Sequence, residues 1–218
     1  RYLHSTGASA FFVIIYLHMF RALLYGSYKG PRELLWILGM LLYVLLAAEA
    51  FFGYVLPWGQ MSFWGAQVII SLFGSVPVIG PDLLVWILGD YAVGDATLNR
   101  FFSLHVIVLP LLLVVLVFLH LVALHHVGSN NPDGIEIKEN KDKDGIPKDG
   151  IPFHPYFTIK DGMVVVGFIW IMCAVIFYAP ALNGYFLEHA NFVEANPLKT
   201  PEHIAPVWYL TPFYSVLR

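Results

Sequence analysis

Four histidines in this sequence stand at spacings that suit a pair of porphyrin-bound irons. His4 and His18 are fourteen residues apart, and His105 and His120 fifteen. On a helix the first gap is a rise of about 21 Å and ends within about 40° of a whole number of turns, so both imidazoles share one face. The second gap overshoots by about 60° on a regular helix. Pro110 lies inside it, and a proline kink or a one-residue bulge absorbs the difference. An iron porphyrin takes one imidazole on each side of its plane, and a bis-histidine site passes electrons without binding substrate at the metal. Two such helices side by side offer two facing pairs. The competing reading makes each histidine a helix-end residue hydrogen-bonded to a neighbour. Four in register weigh against it, because ionisable groups inside an apolar span are costly and usually functional.

The elements that position these residues are membrane helices. Between His105 and His120 every residue except Pro110 is Val, Ile, Leu or Phe, with no polar stripe for water. From Arg100 to His125 such a helix is about 38 Å long, enough to cross a hydrocarbon core of about 30 Å. Hydrophobic residues make up 58% of the chain and charged ones 12%, against about a quarter charged in soluble domains. The expected fold is therefore an all-α integral membrane bundle of four spans, at about 3–25, 34–56, 98–126 and 161–180, the last apolar from Met163 to Ala179. Residues 1–126 form the dihaem-binding bundle and 127–160 a cytoplasmic loop rich in Lys and Asp. Residues 181–218 form an outer loop and the start of a further helix. Met61 to Phe73 reads as an amphipathic helix on the membrane surface, with Trp58, Trp64 and Trp86 at interfacial depth. A second short surface helix follows Pro77, Gly80 and Pro81. The net charge of −3 and the lack of a basic patch give no reason to expect a nucleic-acid partner. The lone Cys173 excludes an internal disulfide and a thiolate metal site. With Arg1 at the mouth of a span and no leader pattern, the chain reads as an excerpt of a longer subunit.

Basic residues orient the bundle. The connection between spans one and two carries Arg21, Lys29 and Arg32, and that between three and four carries Lys138, Lys141, Lys143, Lys148 and Lys160. The other two connections carry only Arg100 and Lys199. The positive-inside rule makes the first set cytoplasmic. His4 is then level with His105 on the outer side, and His18 with His120 on the inner side. Gly39 and Gly53 repeat the fourteen-residue gap on the second span, where each would let a macrocycle pack against backbone. Arg1, Arg21 and Arg100 lie three to five residues from a histidine and suit haem propionates, or simply snorkel to the interface.

Several runs carry a resemblance: His4-x13-His18, Gly39-x13-Gly53, Gly53-Tyr-Val-Leu-Pro-Trp-Gly-Gln-Met-Ser-Phe-Trp-Gly65, His120 with His125, Gly128-Ser-Asn-Asn-Pro132 and Phe153-His-Pro-Tyr-Phe-Thr-Ile-Lys-Asp161. Together they resemble cytochrome b of the quinol–cytochrome c oxidoreductase (cytochrome bc) complex, over essentially the whole chain. The chain looks like the central part of a respiratory, proteobacterial-type subunit in the bacterial inner (plasma) membrane. The resemblance implies two haem b groups, a low-potential one on His4 and His105 and a high-potential one on His18 and His120. It implies an inner quinone-reducing site at His125, Ser129, Lys160 and Asp161, although Lys160 and Asp161 also suit a capping ion pair at the start of span four. It also implies an outer quinol-oxidising site lined by Tyr54, Met61, Gly65, Ile69, Pro206, Trp208 and Tyr214. Ubiquinol and ubiquinone are the implied substrates. A Rieske-type iron–sulfur protein and a cytochrome c1-type subunit are the implied partners, in a symmetric dimer of the complex.

The chain departs from the family pattern at the outer site. The family usually reads Pro-Glu-Trp-Tyr, where this chain has Pro206-Val-Trp-Tyr209, so the carboxylate expected to take a quinol proton is missing. Glu49, one turn before Gly53 in an otherwise apolar span, is the expected replacement, with Glu202 and His203 as weaker candidates. Two other classes fit parts of the pattern. A dihaem membrane anchor of a dehydrogenase or hydrogenase would have similar histidines but no need of the Pro206–Tyr209 segment. A proton-coupled transporter would use the histidines and Glu49 without haem. Neither accounts for the paired glycines.

Overall fold

The computed structural model describes residues 1–148 and 150–217, the last by its backbone alone. Asp149, expected in the charged loop, and Arg218, expected in the last helix, lie outside them. The described residues are helical, with only isolated bridges such as Gly59 with Glu194. In chain order the helices are α1 (Tyr2–Leu24), α2 (Glu33–Val55), α3 (Gln60–Gly74), α4 (Gly80–Leu88), α5 (Asp95–Ser103), α6 (Leu109–Val127), α7 (Thr158–Tyr178) and α8 (Thr211–Leu217). A π-helical turn at Leu104–Val108 joins α5 to α6 without a break. Four stretches are long and apolar enough to cross a membrane: Tyr2–Leu24, Glu33–Val55, Asp95–Val127 and Phe153–Tyr178. Most of their apolar side chains are exposed, including Leu111, Val114, Phe118, Met163, Val164 and Trp170, as helix faces turned to lipid must be.

The expected four-span, all-α fold is what the chain adopts, with two local differences. The fourth span starts earlier than expected and its α7 helix begins at Thr158, which takes Lys160 and Asp161 into the first turns of α7, where an acidic side chain meets the positive end of the helix. The α3 helix is less of a surface element than its amphipathic pattern suggests. Met61, Phe63, Ala66 and Ile70 are buried, and the last three join Val55, Leu88, Val93 and Phe101 in one core cluster.

The contacts divide the chain into two compact units, residues 1–42 with 116–180 and residues 43–115 with 181–218. In the first unit α1 packs on α7, and the fully buried Thr6 hydroxyl donates to the Pro180 carbonyl at 2.9 Å. The start of α1 therefore meets the end of α7, and the two run antiparallel. The two basic connections are tied together. Buried Arg32 grips Glu136 with both terminal nitrogens (3.1 and 3.3 Å), and its Nε donates to the Gly128 carbonyl at 3.1 Å. Asn130 donates to the Tyr25 carbonyl at 2.8 Å. Asn131 shapes the loop by accepting from the Asp133 and Ile135 amides (both 3.1 Å) and donating to the Ile135 carbonyl (2.7 Å). The shared end of these two connections agrees with their assignment to one side of the membrane by charge.

In the second unit the 182–195 segment is stitched to the turn between α2 and α3. The Gln60 amide donates to the Val193 carbonyl and the Ala195 amide to the Trp58 carbonyl, both at 2.9 Å. Asn191 Oδ1 accepts from the Ser62 amide at 2.8 Å and from the Ser62 hydroxyl at 3.0 Å. Gly59 is required there, because a Cβ would lie 2.7 Å from Asn191 Cγ.

Replacing Arg32 by Ala leaves the Gly128 carbonyl and the Glu136 carboxylate without their partner. We expect a loss of about 1–3 kcal/mol, read as a lower thermal midpoint in detergent, together with faster proteolysis of the 128–148 loop. Glu136→Gln, which keeps an acceptor for Arg32, should lose less. An unchanged midpoint in Arg32→Ala would show that the clamp carries no stability.

Candidate functional site

Rotational register comes first, because two helices must turn four imidazoles toward each other. The π turn at Leu104–Val108 holds His105 and extends into the gap that ends at His120. Its extra residue takes up about 100°, which converts the overshoot of about 60° into a shortfall of about 40°, the same as between His4 and His18. Of the two expected ways to take up the difference, a proline kink or a bulge, the bulge is present, just ahead of Pro110.

In the first unit the His18 and His120 rings face each other, with centroids 6.4 Å apart and planes at 67°. Two imidazoles on opposite sides of one metal ion, at about 2 Å per metal–nitrogen bond, have ring centres about 6 Å apart. The residues present therefore fit one iron held by the pair. Gly39 on α2 lies against the same place, since a Cβ there would sit 3.2 Å from His120 Cε1. In the second unit Gly53 stands to His105 as Gly39 does to His120, and a Cβ on Gly53 would lie 2.8 Å from His105 Nδ1 and 2.9 Å from Nε2. The two glycines admit the α6-side imidazoles to the α2 backbone at both levels. His4 is exposed near the start of α1.

Glu49 is positioned by α2 one turn before Gly53 and faces His105. His105 Nδ1 lies 2.8 Å from the Glu49 backbone carbonyl and 2.9 Å from its Oε1. The second carboxylate oxygen, Oε2, is buried without a hydrogen-bond partner. A hydrogen bond from Nδ1 to a carbonyl or carboxylate fixes the tautomer of a ligating histidine and turns Nε2 toward the metal. Here Glu49 orients the ring of a candidate ligand.

A shallow, largely apolar cleft opens in the second unit. Five of the seven residues expected at the outer site line it, namely Tyr54, Met61, Gly65, Ile69 and Pro206, joined by Phe51 and Val207. Trp208 and Tyr214 are not among its walls. Trp208 stacks on Phe186 instead, with centroids 6.2 Å apart and planes at 21°. Glu49, Glu202 and His203 do not line the cleft either. The Tyr54 hydroxyl donates to Glu188 Oε2 at 2.7 Å. Burial pushes the Glu188 carboxyl above the usual carboxylate range, and the Tyr54 hydrogen bond opposes the rise. Sequence reading missed both Glu188 and Asn191. The only signal was one acid within the largely apolar run Tyr185-Phe-Leu-Glu188, on a segment whose path no periodicity reveals.

The expected inner-site residues His125, Ser129, Lys160 and Asp161 are exposed. Lys160 Nζ is 2.6 Å from the Tyr156 hydroxyl and 4.2 Å from its ring centre, so it bonds one turn back along its own helix. The His126 carbonyl accepts from Lys138. Arg100 bonds the Trp86 carbonyl and lies over Gly89, while Arg1 and Arg21 are exposed.

Comparison with known proteins agrees with this geometry. Residues 9–185 match the family model described as Cytochrome b(N-terminal)/b6/petB, and residues 194–218 match Cytochrome b(C-terminal)/b6/petD. The whole chain is 64% identical to a cytochrome b of Allochromatium vinosum, covering 53% of it, and 53% identical to one of Rhodobacter capsulatus, covering 49%. Among solved structures, a chain of a hyperthermophilic respiratory complex III superposes with a TM-score of 0.88 at 42% identity, over 99% of this chain and 55% of that one. The chain spans about half the length of the curated relatives it matches. With histidine register, facing glycines and family models agreeing over nearly all its residues, the chain belongs to the cytochrome b family.

Proposed function

We propose that this chain forms the electron- and proton-handling core of a quinol–cytochrome c oxidoreductase in a bacterial inner membrane. His18 with His120, and His4 with His105, each hold one haem b. The observation that supports this most is the 6.4 Å separation of the His18 and His120 rings, with Gly39 set against the same imidazole. Each haem, when bound, accepts and passes on one electron at a time. The chain's own residues orient and insulate. His105 is held through Nδ1 by Glu49, and the apolar flanks of α1 and α6 keep water away from the pairs. Exposed Arg1 and Arg21 pair with propionates, and Arg100 would first have to leave the Trp86 carbonyl.

The cleft walled by Tyr54, Met61, Gly65, Ile69 and Pro206 takes quinol and oxidises it on the outer side. His125, Ser129, Lys160 and Asp161 bind quinone on the inner side and supply the two protons its reduction consumes. Protons are released outside and taken up inside, so turnover adds to the membrane gradient. Ubiquinone is the expected quinone. A Rieske-type iron–sulfur protein and a cytochrome c1-type subunit complete the path to cytochrome c, in a homodimeric complex.

Haem counting on the purified membrane complex should give two b-type groups per copy of this chain, with two potentiometric components in the α band. One haem or none would sink the four-histidine assignment. His120→Leu should abolish the component that an inner-site inhibitor perturbs and leave the other in place.

Glycine substitutions test the close approach separately. Gly53→Val sets a side chain within contact of His105 and should shift or lose the other, low-potential component, whereas Gly39→Val should act on the inhibitor-sensitive one. The same effect from both substitutions, or none from either, would detach the glycines from the haem sites.

A further inference from the structure

The cleft poses a chemical problem that its walls do not solve alone. Oxidising a quinol to a quinone removes two protons, yet Tyr54 is the only wall residue with an ionisable side chain. A tyrosine is a poor final acceptor near neutral pH, because with an ordinary pKa of about 10 its hydroxyl already carries its proton. It can relay a proton only if a base stands behind it. The group behind it is Glu188, whose Oε2 accepts the Tyr54 hydroxyl at 2.7 Å.

We propose that Glu188 is the proton acceptor of the outer site, reached through the Tyr54 hydroxyl. The assignment rests on reading the cleft as the quinol-oxidising site. In the step, a quinol hydroxyl gives its proton to the Tyr54 oxygen as Tyr54 gives its own to Glu188 Oε2. Tyr54 ends neutral and Glu188 ends as a carboxylic acid. The two electrons leave to the iron–sulfur partner and to the outer haem. The second proton, from the quinol's other oxygen, goes to the iron–sulfur partner together with the electron that this partner takes.

Three features place Glu188 for this work. The Phe186–Trp208 stack fixes the residue two positions earlier to the Pro206–Tyr209 wall segment. Asn191, three positions later, is pinned by the Ser62 amide and hydroxyl. The carboxyl is therefore held from both sides against a residue of the cleft wall. Glu188 itself is half-buried, while His189 and Ala190, which follow it, are exposed, so a proton taken inside has a short way to water. Tyr54 on α2 faces Glu188, and the field of Tyr209 acts on Tyr54. Burial raises the carboxyl above its ordinary range, toward the working pH where a general base is most effective. By contrast, the Glu49 carboxyl is turned to His105 and lines no part of the cleft.

The test uses the whole complex with its partner subunits and measures outer-site quinol oxidation against pH, with the inner site blocked by an inhibitor. The ionised carboxylate is the active form, so the native rate should fall as pH drops through the raised Glu188 pKa. Glu188→Gln should slow the reaction by about 100-fold or more and abolish that acidic limb. Haem spectra and binding of an outer-site quinol analogue should stay intact in this variant. Glu188→Asp should retain the limb, and Tyr54→Phe should reproduce the loss. In redox-difference infrared spectra, the carboxylic acid band that appears on quinol oxidation should vanish in Glu188→Gln. Gly65→Leu separates the two levels of the proposal. A Cβ there meets no atom within 4 Å, so the larger side chain grows into the cleft without disturbing the fold. If Gly65→Leu stops quinol oxidation while Glu188→Gln changes neither rate nor pH profile, the outer site stands and Glu188 is not its base. If Gly65→Leu has no effect, the cleft is not the quinol site and the assignment of Glu188 falls with it.

Discussion

Rotational register along the third span is the constraint on which the rest of the site depends. A helix advances about 100° per residue, so a pair of inward-facing side chains tolerates almost no error in the count between them. The gap from His105 to His120 is one residue longer than that from His4 to His18. Left in a regular helix, the surplus would set the two imidazoles about 60° apart around the axis, about 100° out of step with the His4–His18 pair. The π turn at Leu104–Val108 absorbs it at the cost of locally weaker backbone geometry, the usual bargain where such turns occur at functional positions. The facing glycines complete the arrangement, because a Cβ at Gly39 or Gly53 would press on the imidazoles that the register brings round.

A second constraint is hydrogen bonding where water is scarce. The 182–195 segment has no regular structure long enough to satisfy its own backbone, so it borrows partners from the turn at 58–62. Gln60 and Trp58 supply backbone groups, and Ser62 meets the Asn191 side chain. These bonds leave the segment close against the α2–α3 turn, and Gly59 makes the closeness possible. Glu188 reaches Tyr54 as a result. A polar pair beside an otherwise apolar cleft is costly unless each group is satisfied, and the 2.7 Å bond between them provides that.

The clamp among the basic connections follows the same logic with full charges. Arg32 is buried, so it needs several acceptors at once, and Glu136 and Gly128 supply them. The Gly128–Pro132 run, whose resemblance points to quinone binding through Ser129, is in this fold also the hinge of a structural lock. Asn130 and Asn131 hold its course, while the Ser129 side chain stays at the surface.

Much of the architecture was legible in the residues themselves. The four spans, the shared face of His4 and His18, the need for a kink or a bulge before His120 and the matching glycines all follow from local periodicity, which a helix converts directly into direction. Five walls of the cleft are residues that the family resemblance implies for an outer site, and four of them, Tyr54, Met61, Gly65 and Ile69, lie on neighbouring elements of one continuous run. What periodicity could not supply is where a non-helical segment lies. Glu188 is 134 residues from Tyr54, and nothing in its spacing points to α2. Glu49 stood out as an isolated acid in an apolar span, but whether it faced the cleft or His105 depended on the rotation of α5 and α6 against α2. Arg100 could be counted near a histidine, yet its bond to the Trp86 carbonyl depended on α4 folding back beside it. The sequence by itself determined which residues could do chemistry and at what depth, because helical geometry is local. Only the tertiary structure decided which carboxylate met the tyrosine, because that contact is set by backbone hydrogen bonds between segments far apart in the chain.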